Sequence, residues 1–346
     1  MKFKLDDSIT NRNVEYAIKY LFDSDNISHQ AIIIHQLNKL INNSDILLSL
    51  RKFIFKNSNK IKKYPNSLDT CGTGGDGLKT LNISTTVAIL LSSVDIPIAK
   101  HGNRAASSLS GSSDIISELN ISSEKDSKKI INKISNDKFV YLNAPFFYPN
   151  LSKVGEVRKK LGIKTIFNYM GPTLNPLGAK YQILGTVNKN SAEIMLKILS
   201  KIDNKNSTIF FSDDGLDEIS IFAPTNFYFK RGKNITKKKI SHTKYKKYLS
   251  SKLNFKDIKG GIPSYNASRL IELFQGKKDS YRDITIINSI YAMQTIKPIY
   301  KFDECFDILS NSLNTSVCER FGLSCQLEII GPSFFNFGLD SNFQLY

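Results

Sequence analysis

The 346-residue chain contains no tryptophan, and only four cysteines, four histidines and four methionines. Cys71, Cys305, Cys318 and Cys325 are scattered with no CxxC spacing, which excludes a zinc cluster or a disulfide framework as the organising feature. His29, His35, His101 and His242 are equally dispersed, so a histidine-based metal site is not expected. No run approaches the roughly 18 apolar residues of a membrane span. The opening "MKFKLDDSIT" also lacks the apolar centre of a secretory signal, so a cytoplasmic protein with no membrane partner is expected. Acidic residues are in deficit, with 31 Asp and Glu against 48 Lys and Arg, a formal charge of +17. Such a charge attracts polyanions in principle. Here, however, the lysines are spread along the chain among many Asn and Ile, a mixture that reads as the drift of an AT-rich genome, and nucleic acid is not an expected partner.

What is present is organised in two parts. From Asn13 to Asn57 apolar residues recur at helical spacing, as in Val14, Ala17, Ile18 and Leu21 and then Ile32, Ile33, Leu37, Leu40 and Ile41. Breaks at "DSDN" and "NNSD" divide this stretch into three helices, with Ser24 or Asp25 and Ser44 or Asp45 as expected N-caps. The lysine-rich "KNSNKIKKYPNS" then separates a small helical domain from a larger one. Beyond it, short apolar strands alternate with helices, the signature of an α/β domain. Strands are expected near Leu68–Cys71, Ile96–Ala99, Phe139–Leu142, Tyr181–Val187, Thr208–Ser212 and Ile219–Ala223. Expected helices include Ser84–Ser93, Ser112–Leu119, Lys125–Ile134, Leu151–Leu161, Ser191–Ile202, Ser264–Gln275 and Asp283–Gln294. "KRGKNITKKK", Lys230 to Lys239, reads as a solvated loop or hairpin edge.

Three polar turns stand where the chemistry is expected. Gly72, Thr73, Gly74, Gly75, Asp76 and Gly77 come after the first strand and precede a helix. Glycines at such a turn permit positive φ and let backbone N–H groups approach an anion, while the next helix offers its N-terminus. The spacing matches neither GxxxxGK[ST] nor GxGxxG. Asn82, Ser84 and Thr85 would serve a phosphate or a hydrated Mg2+ at the start of that helix. A second turn, "KHGNRAASSLSG", offers Lys100 as a point charge, Asn103 and Ser107 as neutral hydrogen-bonding groups and Gly102 as room for a ligand; His101 reads as structural. Ligands of open α/β sheets gather outside the strands' carboxyl ends, so the two turns belong to one place. The third turn, "DDGLDEIS", carries the adjacent carboxylates Asp217 and Glu218, a pattern suited to Mg2+.

Together, "DTCGTGGDGLKTLNIST", "KHGNRAASSLSG", "VRKKLGIKTIFNYMGPTLNP" and "GLDEIS" resemble, in order and spacing, the anthranilate phosphoribosyltransferases, from about Asn13 to about Thr295. The resemblance implies an α/β fold with a small N-terminal helical domain hinged to a large α/β domain whose central, mostly parallel sheet is flanked by helices. The small domain would cover residues 1–64, joined by helices from about 150–178, and the large one residues 65–346, with a divergent tail from about 310. It also implies a homodimer paired through the helical domains. The implied reaction joins anthranilate to 5-phosphoribosyl 1-pyrophosphate, with Mg2+, two ions per subunit, as cofactor. Gly72, Thr73, Gly74, Gly75, Asp76, Thr80, Asn82, Ser84, Thr85, Lys100 and Ser107 would hold the phosphoribosyl donor, and Ser84, Asp217 and Glu218 the metal. Gly72, Asn103, Arg158 and Tyr148 would face anthranilate, Arg158 by pairing with its carboxylate. No dedicated catalytic acid or base is implied.

Some positions depart from the family. Tyr148, in "APFFYPN", stands where a histidine is common, and Lys164 stands where "RT" is frequent before "IFN". The segment from Ser310 onward differs most from the family's usual short closing helix. Pyrimidine nucleoside phosphorylases share the fold but carry "KHSTGGVGD" in place of "DTCGTGGDG". Nucleic-acid-binding relatives of the fold would account for the charge but would not need the glycine loop, the carboxylate pair and Arg158 together.

Overall fold

The computed structural model describes residues 3–74, 77–103, 109–202, 205–250, 252–313 and 321. Three of the candidate site residues, Gly75, Asp76 and Ser107, lie outside the described residues, as do Cys318, Cys325 and nearly all of the divergent tail.

The chain opens with α1 (Val14–Asp23), α2 (Ile27–Lys39) and α3 (Ser44–Lys56). The N-caps differ from the expected ones. Asn26 accepts from the backbone N–H of Ser28 and His29, and Asn43 from those of Asp45 and Ile46. The asparagine side chain reaches the first-turn donors one residue away from where the serine or aspartate was expected to do so.

A seven-stranded sheet comes next. In chain order it is built from β1 (Leu68–Gly72), α4 (Ile83–Ser93), β2 (Ile98–Gly102), α5 (Ser112–Glu118), α6 (Ser127–Asn136), β3 (Phe139–Asn143), α7 (Ala144–Phe147), α8 (Gly155–Leu161), α9 (Phe167–Met170), β4 (Tyr181–Gly185), α10 (Lys189–Ser200) and β5 (Asn206–Ser212). The hairpin β6 (Thr225–Arg231) and β7 (Asn234–Ile240) completes it, and α11 (Pro263–Phe274), α12 (Ser280–Ile296) and α13 (Phe302–Ser312) lie beyond. The spatial order is β3-β2-β1-β4-β5-β6-β7. The first five strands in that order are parallel, and β6 and β7 add on antiparallel. "KRGKNITKKK" is therefore a hairpin at the sheet edge, where a lysine-rich, solvated strand blunts further pairing.

Two expectations need correction. Ile219–Ala223 is not a strand, because its backbone groups are taken by side chains: Ile219 N–H donates to Asn288 Oδ1 at 2.9 Å, and Phe222 and Ala223 N–H donate to Ser220 Oγ at 2.9 and 3.1 Å. The helix expected from Leu151 begins instead as a 3-10 turn, Pro149–Val154, before becoming α8.

Alternation along the strands sends side chains to two buried clusters. Leu68, Ile98, Phe139, Tyr141 and Ile183 pack against α4, α5, α11, α12 and α13. Ala99, Val140, Leu142, Leu184 and Ile209 face the opposite way, into a cluster continuous with α1–α3 and the segment around 147–177. The helices at the amino end of the chain thus share their core with one face of the sheet.

Candidate active site

Strand order reverses between β1 and β4, so the crevice beyond their carboxyl ends is the switch point of the sheet. The glycine turn begins there. Thr73 N–H donates to Gly185 O at 2.9 Å, tying the turn to the end of β4. Gly74 and Gly77 adopt φ of +67° and +74°, the left-handed region where glycine is unstrained.

The third turn meets the first at this point. A Cβ on Gly72 would stand 2.9 Å from Asp217 Oδ2, and one on Gly185 would stand 1.7 Å from Asp217 O. The carboxylate of Asp217 is therefore seated beside the glycine turn by the absence of two side chains. Its loop is clamped from behind: Asn288 on α12 accepts from Ile219 N–H and donates to Ile219 O at 3.0 Å, while Ser212 Oγ donates to Glu218 O at 2.7 Å. Beside this seat the Thr73 hydroxyl is buried without a hydrogen-bond partner among the described residues, as expected of a donor awaiting a ligand.

Lys100 lies under the turn, 2% exposed. Its ammonium donates to Thr70 O at 2.8 Å, to Thr70 Oγ1 at 3.2 Å and to Ser84 Oγ at 3.5 Å. Burial pushes its pKa down, against the pull of Asp69, Cys71 and Glu218. Lys100 is thus a buried cation beneath the turn, hydrogen-bonded to Thr70 and Ser84. Asn82 is likewise occupied. It donates to Ser110 O at 3.2 Å and accepts from Asn266 on α11 at 2.8 Å, and it does not cap α4. Thr85 is buried at 1% exposure, and Thr80 pairs in an isolated bridge with Lys259. Gly260 permits that approach, since a Cβ there would stand 2.4 Å from Thr80 O.

The second turn leaves β2 beside β1. Asn103 is exposed, and its carbonyl accepts from Ser113 N–H at 3.3 Å. His101, read as structural, bridges two parts of the molecule: Nδ1 lies 3.2 Å from both oxygens of the fully buried Asp69, and Nε2 lies 2.7 Å from Gly171 O. Gln182 donates to Asp69 Oδ2 at 3.2 Å and to Pro172 O at 2.6 Å. These bonds fix the Gly171–Pro172 backbone against the sheet.

Arg158, on α8, is half-buried, with its guanidinium 5.3 Å from the centre of the Phe167 ring. Burial lowers its pKa, and it has no carboxylate partner among the described residues. No hydrogen bond or ion pair among those residues joins it to the glycine turn or to Asp217. Tyr148 is 2% exposed and packs edge-on to Phe55 at 5.7 Å, with its hydroxyl donated to Leu174 O. It offers no free hydroxyl to a ligand. Sequence reasoning missed Asn143, whose side-chain oxygen is buried and unpartnered among the described residues at the carboxyl end of β3. Its position at the carboxyl end of an apolar strand was the available signal.

A family model described as "Glycosyl transferase family, a/b domain" matches residues 64–316. The anthranilate phosphoribosyltransferase of Caldicellulosiruptor saccharolyticus is 39% identical over 230 residues, 66% of this chain and 67% of that protein. That of Desulfitobacterium hafniense is 36% identical over 256 residues, 74% and 75% of the two chains. The anthranilate phosphoribosyltransferase of Saccharomyces cerevisiae, solved in complex with PRPP and Mg, shares the fold with a TM-score of 0.78 over 90% of each chain, at 23% identity. With a family model spanning most of its length and a relative 36% identical over 74% of it, the chain belongs to the anthranilate phosphoribosyltransferase family.

Proposed function

We propose that this chain transfers the 5-phosphoribosyl group of 5-phosphoribosyl 1-pyrophosphate to the amino group of anthranilate, giving N-(5-phosphoribosyl)anthranilate and pyrophosphate, the second step of tryptophan biosynthesis from chorismate. The observation that carries this reading is the seating of Asp217 against Gly72 and Gly185, beside the unpartnered Thr73 hydroxyl. A backbone turn able to bind an anion and a carboxylate able to bind a cation share one place, which suits a diphosphate that arrives with a metal.

The amino nitrogen's lone pair forms the new bond at C1 of the ribose as the C1–oxygen bond breaks, and that electron pair leaves with pyrophosphate. Charge grows on the leaving group, so donors aimed at it stabilise the transition state. Gly72, Thr73, Gly74, Gly75 and Asp76 supply them, with Thr80, Asn82, Ser84, Thr85 and Ser107 around the phosphates and Lys100 fixing positive charge beneath. Asp217 and Glu218 with Ser84 are the residues that would hold Mg2+, two ions per subunit. Among the described residues no group of three or more His, Cys, Asp or Glu could hold a metal; in this reading substrate and water complete the shell. When bound, the metal neutralises charge on the departing pyrophosphate. Arg158 pairs with the anthranilate carboxylate, Asn103 and Gly72 border the ring, and Tyr148 shapes that side by packing. The attacking amine sheds its proton to solvent water after the bond has formed, so no dedicated acid or base is needed.

In this reading residues 1–64, with about 150–178, form a small helical domain against the α/β domain of 65–346, two copies pair through the helical domains, and the enzyme works in the cytoplasm. Among the described residues no helix is long and apolar enough to cross a membrane. Mixing the protein with anthranilate, 5-phosphoribosyl 1-pyrophosphate and Mg2+ should extinguish anthranilate fluorescence. No loss above background, with salt-sensitive DNA binding instead, would sink the reading.

A further inference from the structure

A cavity of 560 Å³ opens at the other end of the sheet, where β1, β4 and β5 begin, far along the strands from the glycine turn. Arg51, Lys52 and Lys56 reach it from the end of α3. Lys60 and Lys63 come from the connection into β1, and Lys180 and Lys205 from the residues just before β4 and β5. Among the described residues no carboxylate lines it. Among the described residues none of these seven cations forms an ion pair.

Charges of one sign held together are mutually destabilising unless a counter-charge joins them. Lys63 loses basicity through burial and through Lys60 and Arg51. Lys205 is the sharpest case, at 6% exposure, with no hydrogen-bond partner for its ammonium among the described residues. Burial lowers its pKa, Arg51 and Lys230 add to the effect, and Asp69, already paired with His101, opposes it. A buried ammonium is normally hydrogen-bonded. Lys60 and Lys63 are partly satisfied by the carbonyls of Phe55 and Pro176, and Arg51 Nε by Thr173 O at 3.1 Å. Lys52, Lys56 and Lys180 have no such partner among the described residues.

We propose that this cavity is a binding site for a small polyphosphate anion, a molecule carrying at least two linked phosphate groups, separate from the glycine turn. A single phosphate would leave most of the seven cations uncompensated, whereas a linked chain spans both walls. The size suits a small molecule and not a nucleic acid strand. The face of Phe55 is already taken by Arg51 at 4.5 Å and Lys63 at 5.6 Å, so recognition rests on charge and not on stacking a base. Because α3 forms one wall and the strand starts the other, a bound anion would clamp the amino-terminal helices to the sheet.

Inorganic triphosphate, titrated calorimetrically into the full chain without Mg2+, should bind. In the Lys52→Glu, Lys56→Glu variant affinity should fall by more than about tenfold, since charge-assisted bonds are lost. The KM for 5-phosphoribosyl 1-pyrophosphate should not change. Both lysines are exposed, so the variant should fold; Lys180→Ala gives a second, milder loss. Equal binding of ATP and triphosphate supports the site with the phosphate chain as determinant, and tighter ATP binding supports it with a nucleotide as source. Binding unaltered in both variants, or seen only with single-stranded DNA, overturns the proposal.

Discussion

Gly185 shows how much a missing side chain can decide. Its hydrogen is replaced in any other residue by a Cβ that would stand 1.7 Å from a backbone oxygen of Asp217, a clash that no rotamer relieves. Gly185→Ala should therefore displace the carboxylate and lower kcat/KM by about a hundredfold while the circular dichroism spectrum is preserved, since ångström-scale misplacement has that cost. An unchanged kcat/KM would remove Asp217 from the mechanism. Arg158→Ala should act differently, raising the KM for anthranilate with little effect on that for the phosphoribosyl donor. Asp217→Asn with Glu218→Gln should shift the Mg2+ concentration needed for half-maximal rate. Steady-state titrations of each substrate and of Mg2+ separate these outcomes, and the reverse pattern refutes the assignments. The three polar turns were legible because each comes directly after a short apolar strand. That Asp217 lands on Gly72 and Gly185 was not, since nothing local in "GLDEIS" records which strand ends it meets.

At the level of elements, the loop bearing Asp217 and Glu218 depends on a helix far along the chain. Asn288 on α12 satisfies both the N–H and the carbonyl of Ile219, and no covalent neighbour could do so. Asn288→Ala leaves those groups unpaired and should cost about 1–3 kcal/mol of stability, measured by urea denaturation. The same bonds explain why an apolar run, Ile219 to Ala223, failed to become a strand: periodicity reports burial, but a ladder also needs free backbone groups. Helix α13 escaped the sequence reading although its signals were present. Asp303 and Glu304 lie in its first turn, and Glu304 accepts from Lys301 N–H at 2.9 Å, the returning half of a capping box. At the other end of the chain, Asn43→Ala should cost about 1 kcal/mol, the usual worth of an N-cap.

For the molecule as a whole, the Asp69, His101 and Gln182 network joins the sheet to the Gly171–Pro172 backbone. Burial alone would raise the Asp69 pKa, but His101 beside it, with Lys205 and Lys100, holds it below the ordinary value. A depressed folded-state pKa stabilises the protein above the unfolded carboxylate value, about 3.9, and that contribution is lost as pH falls through the lower folded value. Asp69→Asn should then lower stability by about 3–5 kcal/mol at neutral pH and flatten the loss of Tm below about pH 4. An unaltered acid limb would show that other carboxylates govern it. By itself the sequence determined the alternation of strands and helices, the glycine turn and the carboxylate pair, because these depend on periodicity and on residue chemistry within a few positions. Only the tertiary structure decided that Lys100 and Asn82 are hydrogen-bonded within the protein, that the Tyr148 ring is buried, and that seven cations from three separate segments surround one cavity. Those outcomes depend on which distant backbone and side-chain groups compete for each polar atom, and no local pattern encodes that competition.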